Sequence, residues 1–567
     1  MAESKEVDKV QSWKWFLLTP LVVALIALYT PLISYVGIAI QTIDPSACPL
    51  AAPIVPSDTS VAWKMIHGPE YRIKSAGRLS ESVRIDTQVF DKPPSVESNP
   101  EYWVKFKAFH EFLEREFPLV YETLDLDLVN TYGIVLTWKG SNSKLKPLML
   151  TAHQDTVPIQ SDTLDAWTHP PLAGHYDGTF VYGRGSSDCK NVLIAIMESF
   201  EALIINGFKP QRSLLAVFGF DEEVSGYQGA KFINEFLVEK YGQNSLYAII
   251  DEGPGVYYTP FSKLIVATVA NGEKGYLDLT VKLGAQGGHS SVPPDHTTIG
   301  IISELTFEIE NDPYPSILTS SNPLYRYMQC FAVHATGLSS IIRKTILRSS
   351  FNKVANSKLV EYLERIPISK YLIKTSQSCD VIRGGEKANA LPEYSELLVN
   401  HRISVDSSVE QVKQHFSDRV LKIAKKHNIT LESYGEIVYQ GSTHSKFIVE
   451  TFGEALEPAP VSPFNDTVWD YLVGTTRHVF EDLVIKNLTE PIIVAPAIMP
   501  ANTDTKHYWD LTSHIFRFSP MFIDMLGENN IHSVDEKIRL NGHLELTAFF
   551  YQYIQNVDSE AADNRLG

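Results

Sequence analysis

The chain has 567 residues, of which 44% are hydrophobic, and its formal net charge is -18. This length is enough for several domains, and the apolar content supports buried cores. The excess of acidic residues argues against nucleic-acid binding, because phosphate contacts require clustered Lys and Arg.

The first predicted element is an N-terminal transmembrane helix at residues 16–40. These 25 residues carry no charge, and about 20 apolar residues are enough to cross a bilayer as a helix. Lysines lie in the preceding residues 1–15, and no Lys or Arg follows until Lys64. This asymmetry predicts a cytosolic tail, with the bulk of the chain on the other side of the membrane. We interpret the segment as an uncleaved signal anchor; a signal peptide cleaved near Ala47 is the alternative.

Residues 41–95 are predicted to be a stalk and lead-in. The stretch from Asp44 to Pro56 is rich in proline, a composition typical of an extended spacer. After it, strand and helix patterns begin to alternate.

Residues 96–264 are predicted to form the first part of an α/β catalytic domain. Short strands that are apolar throughout alternate with helices, which is typical of a mostly parallel sheet covered on both faces. The predicted strands are 147–151, 213–220 and 246–250, and the predicted helices are 192–205 and 231–241.

A smaller α+β domain, residues 265–435, is predicted to be inserted into the catalytic domain as a lid. Its strands alternate between apolar and polar residues, as half-exposed antiparallel strands do. Residues 436–567 return to the first pattern and form the second part of the catalytic domain. The lid strands are 276–283 and 395–402, its helix is 297–310, residues 312–380 show no clear period, and the last helix is 545–554.

Sequons and cysteines bear on the compartment. Three Asn-x-Thr triplets predict N-glycosylation on the lumenal side; they begin at Asn428, Asn465 and Asn487. The four cysteines are too few and too scattered for a disulfide scaffold. We expect them to be small buried hydrophobic side chains; they are Cys48, Cys189, Cys330 and Cys379.

Five short segments carry acidic and imidazole side chains, and all but the last lie at or just after strand-like runs. They read Thr151-Ala-His153-Gln-Asp155, Gly183-Arg-Gly-Ser-Ser-Asp188, Asp221-Glu222-Glu223, Asp251-Glu252 and Ile531-His532. An open α/β sheet binds its ligands at the carboxyl ends of its strands. Neutral imidazole and carboxylate together are the ligand set of catalytic zinc. The pattern predicts a metal-dependent hydrolase with two metal ions.

Neighbouring acids in these segments can take different roles. His153 and Asp155 lie two apart at a strand end and point to the same face. One of them is enough to bind metal, because the carboxylate can instead accept the ring N–H and fix the imidazole tautomer. Glu222 and Glu223 are adjacent and diverge, so that one can coordinate metal while the other acts as a base.

Nucleophilic catalysis is less well supported by the sequence. No Gly-x-Ser-x-Gly motif occurs, which disfavours a serine hydrolase. The glycine-rich segment before Asp188 lacks the Gly-Lys-Ser/Thr ending of a phosphate-binding loop. Cys189 follows a carboxylate that raises the pKa of its thiol, so it is not expected to be a nucleophile.

The segments resemble the zinc exopeptidase family that includes aminoacylase-1, glutamate carboxypeptidases and carnosinases. The resemblance covers residues from about 80 to 560 and is strongest to the vacuolar, membrane-anchored carboxypeptidases of that family. It rests on Thr-Ala-His-Gln-Asp-Thr-Val-Pro158, Gly-Arg-Gly-Ser-Ser-Asp-Cys-Lys190, Phe-Asp-Glu-Glu-Val-Ser-Gly226 and Asn-Thr-Asp-Thr-Lys-His-Tyr-Trp509.

The resemblance implies two Zn²⁺ ions per chain and the residues that hold them. His153 would bind one ion, Asp188 would bridge both, and Glu223 and His532 would complete the second site. The remaining ligand lies in the pair Asp251-Glu252, and the sequence leaves both acids open.

The resemblance also implies which residues carry out the reaction. Asp155 would support the metal-binding imidazole, and Glu222 would be the general base. His289, in Gly287-Gly-His-Ser-Ser-Val-Pro293, would stabilise the oxyanion, in relatives often across a homodimer formed through the lid.

Three further residues would contact the substrate. Arg402 would clamp a substrate carboxylate with two parallel hydrogen bonds. Asn389, in Lys-Ala-Asn-Ala-Leu-Pro392, resembles a substrate-contacting position. Lys506 stands where several relatives have Arg, which weakens the case for carboxylate binding there.

The predicted function is a di-zinc metallo-carboxypeptidase that hydrolyses the C-terminal peptide bond of small peptides in the vacuole lumen. An N-acyl-amino-acid amidohydrolase is a chemically close alternative, because its substrate presents the same amide beside a free carboxylate. A third alternative is a non-catalytic membrane receptor on the same fold, which the loss of Glu222 or of a metal ligand would favour. The sequence has lost none of these residues.

Overall fold

Two β-sheets with helices packed against them organise the chain. The structure is a computed structural model and describes residues 32–259, 262, 264–523 and 527–563. Its strands are β1 Asp125–Val129, β2 Gly133–Trp138, β3 Leu148–His153, β4 His175–Tyr176, β5 Phe180–Tyr182, β6 Leu214–Gly219, β7 Ala248–Asp251, β8 Val256–Tyr258, β9 Ile265–Glu273, β10 Gly275–Gly284, β11 Gly288–His289, β12 Ser376–Gly384, β13 Ala390–Leu391, β14 Tyr394–Ile403, β15 Ile429–Ser433, β16 Glu436–Tyr439, β17 Ser442–Leu456, β18 Ile493–Met499, β19 Ile515–Arg517 and β20 Lys537–Arg539.

Seventeen α-helices occur in the described residues, and the first begins at residue 32, where the description of the chain begins. They are α1 at residues 32–40, α2 Ser60–His67, α3 Pro69–Arg84, α4 Pro100–Trp103, α5 Lys105–Glu116, α6 Pro118–Thr123, α7 Lys190–Ile205, α8 Ala230–Tyr241, α9 Thr298–Asn311, α10 Pro323–His334, α11 Ser340–Arg348, α12 Lys353–Glu364, α13 Pro367–Leu372, α14 Val409–Lys426, α15 Thr467–His478, α16 Leu540–Val557 and α17 Glu560–Asp563. The strands and helices predicted between residues 147 and 554 are present, and their ends differ from the prediction by at most five residues.

The larger sheet is mixed. Nine strands of the described chain form it, in the order β1-β2-β6-β3-β7-β19-β9-β18, with β8 on β9. β6, β3, β7 and β19 run parallel at its centre, whereas β1, β2 and β6 pair antiparallel at one side. The sheet is therefore less parallel than predicted: its parallel pairs lie at the centre and between β18 and β9 at the other edge. Strands that are apolar throughout report burial on both faces, and such burial does not determine strand direction.

The smaller sheet belongs to an inserted α+β domain. Its order is β12-β14-β10-β17-β15-β16, and α9 and α14 pack on it around a separate apolar core. The strands of this sheet lie between Gly275 and Leu456, whereas the predicted domain spans residues 265–435. β9 lies in the larger sheet and β17 in the smaller one. The single residue Lys274 separates β9 from β10, so no loop pattern marks this boundary.

Residues 41–95 are not a stalk. α2 and α3 within them pack against α7 and α16, and Ala62 and Met65 of α2 are fully buried. The proline-rich stretch also lies against the domain, because Ile54 N–H donates to the carbonyl oxygen of Gly474 at 3.0 Å. Burial of the apolar faces of α2 and α3 makes this region part of the catalytic domain.

The unpatterned residues 312–380 are largely helical. α10 packs on β18 at one edge of the larger sheet, and α11, α12 and α13 follow it. Cys330 of α10 forms a disulfide with Cys48, so the expectation of four unpaired cysteines was wrong for this pair. Cys189 is buried and unpaired, as expected.

The predicted transmembrane segment lies mostly outside the described residues. Residues 16–31 are among those that the structure does not describe, and residues 32–40 form α1. In the described ranges, none of the helices combines the length and hydropathy needed to cross a bilayer.

Candidate metal centre

The segments with imidazole and acidic side chains converge at one end of the parallel strands. β3 ends at His153, and its neighbours β6 and β7 end at Gly219 and Asp251. His153 lies opposite Gly219 in register, so the Asp221-Glu222-Glu223 turn begins beside it. The carboxyl ends of adjacent parallel strands meet at one edge of a sheet, which explains how residues far apart in sequence come together.

Asp188 lies between two histidines. Its Oδ1 is 3.1 Å from Nε2 of His153, and its Oδ2 is 2.9 Å from Nε2 of His532. Nε2 of His532 is also 3.2 Å from Oε2 of Glu223. A carboxylate whose two oxygens face two different imidazoles has the arrangement of a ligand that bridges two metal ions.

The structure distinguishes the two acids at the end of β7. Oε1 of Glu252 is 3.4 Å from Nε2 of His153. Asp251 instead accepts the Glu252 backbone N–H at 2.9 Å with Oδ1, and its buried Oδ2 has no hydrogen-bond partner among the described residues. The geometry favours Glu252 over Asp251 as the remaining metal ligand.

Asp155 holds the turn that carries the two adjacent glutamates. Its carboxylate accepts the backbone N–H of Glu222 at 3.1 Å and that of Glu223 at 3.0 Å. Its Oδ1 is also 3.4 Å from Nδ1 of His153. Asp155 therefore orients both the imidazole and the glutamates without facing the cluster itself. Oε2 of Glu222 lies 4.0 Å from Nε2 of His153.

Ionisation in the cluster is strongly perturbed. Burial raises the pKa of Glu222 well above its usual range. It also raises the pKa of Glu252, and it raises the pKa of Glu223 to about 7. Burial acts in the same direction on Asp188, but hydrogen bonds from His153 and His532 outweigh it and lower the pKa of that carboxyl. Hydrogen bonds to Asp188 and Glu223 raise the pKa of His532 to about 10.

These residues fit a pair of divalent cations. Several carboxylates crowded in a poorly solvated site repel one another unless a cation compensates their charge. The ligand atoms of His153, Asp188 and Glu223 all lie within 4.8 Å of one another. Two imidazoles with carboxylates form a donor set that suits zinc. Sγ of Cys189 forms a second group of this kind with His153 and Glu252, and burial raises the pKa of its thiol.

Glu536 is a supporting residue whose role the sequence did not reveal. Its fully buried Oε1 accepts the backbone N–H groups of Gly185, Ser187 and Asp188 at 2.9, 3.0 and 3.3 Å. Its Oε2 is 2.5 Å from Nη1 of Arg184. Glu536 thus fixes the loop that carries Asp188. No periodicity marks a side chain that binds backbone groups, and proximity to His532 was the one available sign.

The lid residues His289 and Asn389 lie apart from the cluster. β11 pairs with β13, His289 opposite Ala390, and the Asn389 carbonyl accepts the Ser290 N–H at 3.4 Å. Both side chains are exposed, and Nδ1 of His289 lies 2.7 Å from Oγ of Ser291. Within the described part of the chain, neither residue forms a hydrogen bond or an ion pair with the cluster.

Arg402 lies where the two sheets join. Its Nη1 donates to Oδ1 of Asn502 at 3.0 Å, and Asn502 donates to the carbonyl oxygen of Lys274 at 2.7 Å. Burial and the nearby Arg402 lower the pKa of Lys274 to about 7. Nζ of Lys506, which is also predicted to contact the substrate, lies 5.8 Å from the centre of the Tyr227 ring. The junction therefore concentrates basic groups near residues predicted to contact the substrate.

Comparison with known proteins agrees with this arrangement. Residues 149–556 match the model of Peptidase family M20/M25/M40. Carboxypeptidase S of Saccharomyces cerevisiae is 44% identical over 91% of this chain and 89% of the relative. N-fatty-acyl-amino acid synthase/hydrolase of Mus musculus is 30% identical over 86% of this chain and 89% of the relative.

A solved structure shares the fold. The di-peptidase Dug1p from Saccharomyces cerevisiae superposes with a TM-score of 0.57 at 13% identity, and the match covers 88% of this chain and 98% of that chain. At this identity the likeness concerns the fold alone. The family match extends over more than half of the chain, and the chain belongs to peptidase family M20/M25/M40. Together with the 44% identity to Carboxypeptidase S, this membership shows a hydrolase that acts on peptide bonds.

Proposed function

We propose that the protein is a di-zinc metallo-carboxypeptidase that releases the C-terminal residue of small peptides. The observation that carries the proposal is the position of Asp188, with one oxygen beside His153 and the other beside His532. The 44% identity to Carboxypeptidase S supports the choice of reaction.

The proposed ligands divide into two sets that share Asp188. His153 and Glu252 would complete the first site, and Glu223 and His532 the second. When bound, the two ions would lower the pKa of a water molecule between them and polarise the scissile carbonyl.

Glu222 is the proposed general base. Its carboxylate reaches the cluster, with Oε2 4.0 Å from Nε2 of His153, and burial raises its pKa, which suits a group that both accepts and returns a proton. It takes a proton from the attacking water and delivers it to the leaving amine. Asp155, beside Nδ1 of His153, holds the imidazole in the orientation needed for metal binding.

Lid residues and basic groups are proposed to orient the substrate. Arg402, with Lys274 and Asn502 around it, would bind the free carboxylate of the C-terminal residue. His289 would donate a hydrogen bond to the oxyanion. Because His289 is exposed on the lid, it would reach the reacting carbonyl from a second copy of the chain in a homodimer.

The test of this proposal is the substitution Glu222→Gln. We expect kcat to fall by about 10² to 10⁴, the usual contribution of general acid–base catalysis, while zinc content measured by metal analysis stays at two ions per chain. Glu239→Gln is the matched control, since Glu239 is an exposed glutamate of α8. Near-normal turnover of Glu222→Gln would show that another group is the base.

Hydrolysis of N-acyl amino acids is the second candidate, favoured by the 30% identity to an N-fatty-acyl-amino acid synthase/hydrolase. Its substrates place the scissile amide beside a free carboxylate, so Arg402 would serve both reactions. Comparing kcat/KM for blocked dipeptides and for fatty-acyl amino acids with the same C-terminal residue separates the two. A preference of more than tenfold for the fatty-acyl compounds would contradict the peptidase assignment.

The proposed location is the vacuole lumen, with residues 16–40 as a membrane anchor and a cytosolic N-terminus. Exposure of the three sequon asparagines, Asn428, Asn465 and Asn487, is compatible with glycosylation. The Cys48–Cys330 disulfide fits an oxidising lumen. Glycosidase treatment that changes the mobility of the full chain, together with its resistance to alkaline carbonate extraction, would support this location.

A further inference from the structure

Residues 339–374, called here the basic insert, have a charge opposite to that of the whole chain. They contain eight Lys and Arg and two Glu, a formal net charge of +6, whereas the chain as a whole carries -18. The insert consists of α11, α12 and α13. None of its residues belongs to the metal centre, so the proposed reaction leaves this charge unexplained.

The basic insert also exposes large apolar side chains. Ile368 is 69% exposed, Phe351 67% and Ile341 56%. The other large apolar side chains that it exposes are Ile342, Tyr362, Ile366 and Tyr371. Short helices that combine exposed apolar side chains with an excess of Lys and Arg are typical of segments that lie in the membrane interface.

The insert lies against α1, which is the last part of the predicted membrane anchor. Nζ of Lys344 donates to the carbonyl oxygen of Ala39 at 2.7 Å, and Nζ of Lys358 lies 5.2 Å from the centre of the Tyr35 ring. A cavity of about 390 Å³ between α1, α11 and α12 is lined mainly by apolar side chains of the three helices, together with Lys358, Glu361 and Arg365. α1 itself exposes Leu32, Ile33, Val36 and Ile40, so the apolar surface is continuous across the junction.

We propose that the basic insert and α1 together form a surface that rests on a lipid bilayer containing anionic headgroups. Charge complementarity selects this partner, because lysines and arginines near an anionic leaflet are attracted to it while the acidic remainder of the chain is repelled. Continuity with α1 supports the same partner, since residues 16–40 are the predicted anchor. The exposed isoleucines would enter the headgroup layer, and Lys353 and Lys358, the exposed lysines of the insert, would pair with phosphates.

Quenching by brominated lipid tests the contact in the full chain reconstituted in vesicles. With Cys379→Ser as background, a polarity-sensitive fluorophore is attached at Ile368→Cys. Leu128→Cys is the matched control, because Leu128 is 52% exposed on β1, at the opposite edge of the larger sheet from β18. We expect brominated lipid to quench the probe at 368 at least fivefold more than the probe at 128. Equal quenching at both positions would overturn the proposal.

The role of charge is tested by the double substitution Lys353→Glu and Lys358→Glu. Each adjacent basic residue is worth roughly a fivefold change in binding to an anionic surface. In vesicles that contain phosphatidylserine, this double substitution should therefore weaken the quenching of the probe at 368. The control is Lys139→Glu with Lys209→Glu, which changes two exposed lysines elsewhere and should leave the quenching unchanged. Quenching that is the same in pure phosphatidylcholine and in phosphatidylserine vesicles contradicts the proposal. A second outcome also contradicts the proposal. If the probe at 368 becomes shielded from solvent in lipid-free detergent as the protein concentration rises, the surface binds a second copy of the chain.

Discussion

The metal centre and the corner of the lid that carries His289 are held in opposite ways. At the centre, Asp155 and Glu536 bind the backbone of the turns that carry Glu222, Glu223 and Asp188. On the lid, the His289 side chain is exposed and its ring contacts the neighbouring Ser291. The metal ligands are therefore assembled within one chain before any substrate arrives, whereas the proposed oxyanion donor depends on a contact made later.

The substitution His289→Ala tests whether the lid corner takes part in the reaction. Loss of one oxyanion donor typically lowers kcat by about 10² to 10³. Because His289 has no contact with the ligands, zinc content should not change. His444→Ala, an exposed histidine of β17 in the same domain, should leave kcat within twofold of the parent. If His289→Ala also kept normal kcat, the lid corner would have no part in the reaction.

The substitution Glu536→Gln tests how firmly the metal ligands are held by their supporting carboxylate. Glu536→Gln should weaken zinc binding by about 10- to 100-fold, as loss of groups that position ligands usually does. The amide retains one oxygen for the backbone N–H groups but leaves the buried Arg184 without its anionic partner. Competition with a chelator measures the affinity.

Two further measurements distinguish positioning by Glu536 from a general loss of structure. Activity should recover at saturating zinc. The metal-free variant should keep the circular dichroism spectrum of the metal-free parent, although the unpaired Arg184 lowers its melting temperature. Glu528→Gln, which alters an ion pair with Arg539 nearby, is the control. Unchanged zinc affinity in Glu536→Gln would mean that the Asp188 loop needs no such support.

Glu545 shows how burial alone changes the pKa of a carboxyl, because it does not belong to the metal centre. Burial raises the pKa of Glu545 in α16 to about 7, while its usual value is near 4.5. The folded state thus holds a proton that the unfolded state releases between pH 4.5 and 7. Stability from this group is present below pH 4.5 and is lost as the pH rises through 7.

Glu545→Gln should therefore stabilise the protein at pH 8 and have little effect at pH 4.5. The expected gain in the free energy of unfolding at pH 8 is about 3 kcal/mol. The amide oxygen can still accept the Phe522 N–H, as the carboxylate does at 2.8 Å. Urea denaturation of both proteins at the two pH values measures the difference, and a gain independent of pH would contradict this account.

The cluster was largely predictable from sequence because its residues follow short apolar strands. The five short segments contain His153, Asp188, Glu223 and His532, and the resemblance selects these four as ligands. In the structure each of them lies within ion-pair distance of at least one of the others. The choice between Asp251 and Glu252 was not predictable. Adjacent residues at a strand end point in different directions, and which one faces the site depends on how β7 lies against its neighbours.

Other parts of the fold were hidden by weak or misleading patterns. The prolines between Asp44 and Pro56 suggested a spacer, yet α2 and α3 follow and bury their apolar faces. The helices of residues 339–374 are short, and exposed isoleucines obscure the contrast between an apolar and a polar face. Surfaces that serve a partner outside the chain do not follow the period that core packing imposes.

The disulfide between Cys48 and Cys330, which are 282 residues apart, has a consequence for proteolytic processing. A protease that cuts the chain in residues 41–47 would separate the catalytic domain from the predicted anchor at once. A cut in residues 49–59 would instead leave the N-terminal fragment covalently attached to α10 until a reductant reached it. The two cuts can be distinguished by gel electrophoresis. After a cut in residues 49–59, the N-terminal fragment separates from the enzyme only when dithiothreitol is present.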